Sequence, residues 1–114
     1  MEIRDITITG FPSGVLTSLM NTIDAIIARR NVEYFYIGRT NDPYSTMIRH
    51  GQYDYDQLIL IYTTSSTEHV KEVEDFLIKE YKKHPKNDNN AAHSGGNISN
   101  IPPQYVYIAI QYYQ

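Results

Sequence analysis

The chain has 114 residues, 41% of them hydrophobic and 20% charged, which fits one globular domain that buries a core without disulfide or metal staples and excludes a wholly disordered chain. A formal net charge of −3 argues against an overall basic nucleic-acid binder, while a local basic patch stays open, and the absence of cysteine leaves no thiol from which to read a redox compartment. Residues 1–5 hold no apolar signal core and no apolar run nears the ~18 residues of a membrane span, so the expectation is no membrane partner and an intracellular location, cytoplasm or host cell, by default.

Residues 3–9 alternate, with Ile6 and Ile8 on one face and Asp5, Thr7 and Thr9 on the other, as in a half-buried strand. Leu16, Leu19, Met20, Ile23, Ile26 and Ile27 fall at helical spacing, and Asn31 reads as the stop. Residues 33–40 alternate again, Phe35 and Ile37 facing one way and Tyr34, Tyr36 and Gly38 the other. Asp42 reads as the N-cap and Pro43 as the first residue of a short helix that runs to about His50 and is closed by Gly51. Residues 57–62 are almost all apolar, as in a central strand. Ser66 or Thr67 caps a third helix that runs to about Lys83. Residues 84–103 are polar and read as a loop, and residues 104–113 alternate once more, Val106, Ile108 and Ile110 against Tyr105, Tyr107 and Ala109. The expected fold is a single α/β (α+β) domain over residues 1–114, with a small mixed or antiparallel sheet of about four strands packed with three helices.

One residue breaks the pattern of the third helix. Val70, Val73, Leu77, Ile78 and Tyr81 form its apolar stripe, and the other charged residues lie outside it. Glu74 lies near the stripe's centre. A carboxylate aimed into a core costs several kcal/mol unless it is paired, protonated or bound to a cation. Glu74 is therefore ion-paired to a buried arginine, or reaches solvent at the edge of the interface, or is chemically active.

The segments around Glu74 carry a resemblance. Tyr36-Ile37-Gly38 followed by Arg39-Thr40, a short loop and a helix bearing His50 resembles the second motif of the GIY-YIG nuclease superfamily. Glu74-Asp75-Phe76-Leu77-Ile78, after an apolar strand, resembles the context of that family's catalytic glutamate, and Asn87, Asn89 and Asn90 ahead of Gly95-Gly96 resemble its late asparagine segment. The resemblance covers about residues 34–97. It implies metal-dependent phosphodiester hydrolysis of nucleic acid, DNA first, with Mg²⁺ or Mn²⁺ held by Glu74. It further implies catalytic roles for Tyr36, His50 and Glu74, and contacts to substrate from Gly38 and from Asn87 or Asn89.

Two positions depart from the family pattern. Thr46 stands where the family has its catalytic arginine, and the segment before Tyr34 is a helix rather than the GIY strand. Arg39 or Arg49 is expected to supply the missing charge. The C-terminal strand is expected to pair antiparallel with residues 33–40 and to return a tyrosine, Tyr107. With Thr46 in place, cleavage is expected to be weak or absent, and Thr46→Arg to raise it.

Weaker signals come with ordinary readings beside them. Lys82 and Lys83, with Lys79 and Lys86, would track a phosphate backbone or merely offset a helix dipole. The histidines, His50, His69, His84 and His93, match no zinc spacing. Tyr34, Tyr36, Tyr105 and Tyr107 on one sheet face suggest base stacking or core packing. Besides a nuclease domain, intact or decayed, two readings stay open: a non-catalytic nucleic-acid-binding module of ferredoxin-like order, and a viral or mobile-element accessory protein that keeps the nuclease fold.

Overall fold

The computed structural model describes residues 1–89 and 99–114; Asn90, His93, Gly95 and Gly96 lie outside the described residues. Its elements are β1 (Glu2–Ile8), α1 (Pro12–Ile27), β2 (Val32–Thr40), α2 (Pro43–Gly51), β3 (Gln57–Thr64), α3 (Thr67–Tyr81) and β4 (Gln104–Tyr112). The strands form one mixed sheet in the order β1-β3-β4-β2. β1 runs parallel to β3, and β4 runs antiparallel to both β3 and β2. None of the described helices is long and apolar enough to cross a membrane.

The sequence patterns explain most of this arrangement. β3 and β4 occupy the two inner positions, and both are apolar on each face because helices cover both faces. On one face, α1 and α3 bury Leu19, Ile23, Val73 and Leu77 against Phe35, Ile37, Ile59, Ile108 and Ile110. On the other face, α2 covers Tyr36, Leu58, Leu60, Tyr107 and Ala109. Asp42 caps α2 by accepting from the Ser45 backbone N–H, and Ser66 caps α3 by accepting from that of His69.

Three expectations need correction. Ile6 and Ile8 are 36% and 37% exposed, because β1 is an edge strand with no helix seated over that side; Ile3, on the opposite face, is the residue that packs. Gly51 does not close α2. It is still helical, the cap is Gln52, and the left-handed residue is Asp54, at φ 68°. The start of the 84–103 segment is not a free loop either. Lys86, Asp88 and Asn89 pair with the outer edge of β2, so the strand left at the rim of the sheet is covered there.

Candidate active site

β4 is the element that assembles the site. Its alternation sends Val106, Ile108 and Ile110 to the α1–α3 face and Tyr107 and Ala109 to the α2 face. In register, Tyr107 stands opposite Gly38, and Ala109 opposite Tyr36. A methyl group on Gly38 would meet the Tyr107 ring, its Cζ at 2.6 Å. The glycine of the Tyr-Ile-Gly run thus makes room for a phenol from the neighbouring strand.

That phenol reaches α2. Tyr107 Oη lies 2.8 Å from His50 Nε2, and both residues are buried. Arg49, the preceding residue of α2, brings a positive charge close enough to favour the Tyr107 phenolate. The Tyr36 ring packs 4.9 Å from the His50 ring and stacks 6.2 Å from Tyr107. Burial pushes the Tyr107 phenol far above its ordinary range, Tyr36 adds to the rise, and Arg49 opposes it. Thr46 is buried and bonded to Thr40 at 2.7 Å, so it supplies no charge, and an arginine at this position would not fit. Thr46→Arg would have to break this packing, and Arg49 already brings a guanidinium near the tyrosine.

Glu74 and Arg39 form the second half of the constellation, on the other side of the sheet. Arg39 follows Gly38 and points to the α3 face, where its Nε lies 3.4 Å from Glu74 Oε1. The two side chains are 12% and 15% exposed, so Glu74 is neither sealed nor open. Burial pushes the Glu74 carboxyl up to about 7, with Arg39 pulling the other way and Asp75 adding to the rise. Tyr36, His50 and Tyr107 thus sit on one face and Glu74 with Arg39 on the other, joined at positions 38 and 39 of the rim strand β2. The Glu74 charge is still felt at the Tyr107 phenol.

Other residues singled out from the sequence take structural places. Asn89 accepts from the Ile37 N–H at 3.0 Å and donates to the Ile37 carbonyl at 2.7 Å, so its amide acts as a missing strand residue. Asn87 braces Asn89 through its own amide. Lys86 donates to the carbonyls of Ile27 and Arg29 and closes the end of α1. Lys82 and Lys83 are exposed. Tyr36 and Tyr107 are buried beneath α2, so they offer no ring face to unpaired bases.

Sequence reasoning missed Tyr55 and Asp88. The buried Tyr55 packs edge-on against His50 at 5.3 Å, and its hydroxyl donates to Asp88 on the segment that covers β2. Tyr55 lies in the irregular stretch after the left-handed Asp54, where neither the helix nor the strand period could place it.

Among the described residues, no group of three or more His, Asp or Glu side chains is arranged to hold a metal. A hydrated Mg²⁺-type ion asks less of the protein, because it keeps most of its waters and needs one carboxylate. Glu74, partly exposed, is the carboxylate that could meet that lesser demand, with Asp75 close enough to be felt beside it. Comparison with protein-family models, curated proteins and solved structures finds no match for this chain.

Proposed function

We propose that the chain is a GIY-YIG-type phosphodiester hydrolase acting on nucleic acid, DNA first, in which β4 stands where the family has its GIY strand. The observation that carries this reading is Tyr107: a phenol beside the glycine of Tyr36-Ile37-Gly38, hydrogen-bonded to the helical His50 and close to the charge of Arg49. The raised affinity of the phenol for its proton makes Tyr107 a poor base alone. In this reading Tyr107 and His50 Nε2, 2.8 Å apart, are the pair between which a proton moves during hydrolysis. Arg49 favours the negative charge that develops on the phenol oxygen.

Glu74 is the residue that would hold Mg²⁺ or Mn²⁺, and such an ion, when bound, supplies Lewis-acid charge at a phosphate oxygen. Two features support slow turnover. Tyr107 is 1% exposed, and Glu74 already faces a cation in Arg39. The test is cleavage of end-labelled DNA and RNA by purified protein with Mg²⁺ or Mn²⁺, compared with Tyr107→Phe and Glu74→Ala. Metal-dependent cutting lost in both variants supports the reading, and cutting indifferent to both rejects it.

A further inference from the structure

Arg39 is poorly satisfied for a guanidinium so nearly buried. Its Nε stands 3.4 Å from Glu74 Oε1 without hydrogen-bond geometry, and its Nε and Nη1 are both buried with no hydrogen-bond partner. Buried donors of a charged group are normally spent, because each unmet one forfeits its hydration. A planar fork of unspent N–H groups matches an oxyanion better than it matches one distant carboxylate oxygen. Glu74 is under-used in the same way. Apart from the weaker pull of Lys71, it has one loose cationic partner in a place where a carboxylate is costly.

Building on the proposed hydrolase reading, we propose that Arg39 is a resident counter-ion of Glu74. A divalent cation displaces it from the carboxylate, and the phosphodiester oxyanion then takes it up. In the resting protein, Arg39 and Glu74 satisfy each other in part and hold the site closed to free metal. A cation on Glu74 frees the guanidinium, and an anion on Arg39 frees the carboxylate. Each ligand removes the other's competitor, so cation and phosphodiester bind cooperatively, and the coupling is the same in both directions. The arrangement keeps a lone divalent ion from occupying the site without substrate.

The test is direct Mn²⁺ binding, read by the electron paramagnetic resonance of the free ion, with and without dimethyl phosphate as the phosphodiester probe. Arg39→Gln is expected to bind Mn²⁺ on the order of tenfold more tightly than the wild type. Dimethyl phosphate is expected to tighten Mn²⁺ binding by the wild type and to leave Arg39→Gln unchanged, while Glu74→Ala binds none. Equal Mn²⁺ affinity in wild type and Arg39→Gln, lost in Glu74→Ala, overturns the counter-ion role and leaves Glu74 standing as the ligand. Binding that survives Glu74→Ala, or no binding by either the wild type or Arg39→Gln, removes both. If Arg39→Gln does not fold, the wild-type arm decides alone: Mn²⁺ affinity indifferent to dimethyl phosphate overturns the proposal.

Discussion

Tyr107 and His50, 57 positions apart in the chain, meet at 2.8 Å between the sheet and α2. The contact exists because β4, the last element, inserts between β3 and β2 and places Tyr107 over Gly38. A phenol and an imidazole buried together in an otherwise apolar layer are costly unless each satisfies the other. The fold should therefore be sensitive wherever a substitution separates them or strips the rim strand that carries Gly38.

Gly38→Ala should drive the new methyl into the Tyr107 ring and push the phenol off His50. Urea unfolding should show a loss of roughly 1–3 kcal/mol, the usual cost of overpacking. A change below about 0.5 kcal/mol, the range of neutral surface substitutions, would mean that the ring does not depend on this gap.

Asn89→Ala should leave the N–H and C=O of Ile37 without the partners they have at 3.0 and 2.7 Å. The expected loss is about 1–3 kcal/mol, with faster amide exchange at Ile37. Unchanged exchange at Ile37 would show that the edge of β2 is held by other contacts.

Glu74 gives a pH signature. Its carboxyl is raised from 4.5 in the unfolded chain to about 7 in the folded one, burial being the main cause. A raised acid stabilises the fold fully below its unfolded value, and that contribution is lost as pH climbs through 7. The loss between pH 5 and pH 8 should be on the order of 2–3 kcal/mol, since each tenfold difference in proton affinity between the two states is worth ~1.4 kcal/mol. Glu74→Gln should flatten that slope. A wild type whose stability rises steadily from pH 5 to pH 8 would show that Arg39 outweighs burial at this carboxylate.

Much of the fold could be read in the residues. The alternation of Val106, Ile108 and Ile110 and of Phe35 and Ile37 marked β4 and β2 and led to the expectation that they pair. Asp42 and Ser66 marked the helix starts, and Glu74 stood out against its stripe. The failures have a common physical source. Burial of Ile6 and Ile8 depends on what is stacked over β1, and period alone does not carry that information. Asn89 imitates backbone, which a side chain's identity does not announce. Tyr55 and Asp88 meet across 33 positions, from stretches with no period. For the site, the sequence named Tyr36, Arg39, Arg49, His50, Glu74 and Tyr107, but not that β2 carries its two halves on opposite faces.

The central claim is that Tyr107 and Glu74 serve one metal-dependent cleavage, and single-turnover cutting of labelled DNA in Mn²⁺ tests it most directly. The expected result is slow cleavage by the wild type, slowed by a further factor of ~10²–10³ in Tyr107→Phe and abolished in Glu74→Ala, the scale on which single electrostatic or proton-transfer contacts act. Cleavage that persists in Glu74→Ala, or a Tyr107→Phe variant as active as the wild type, would contradict it.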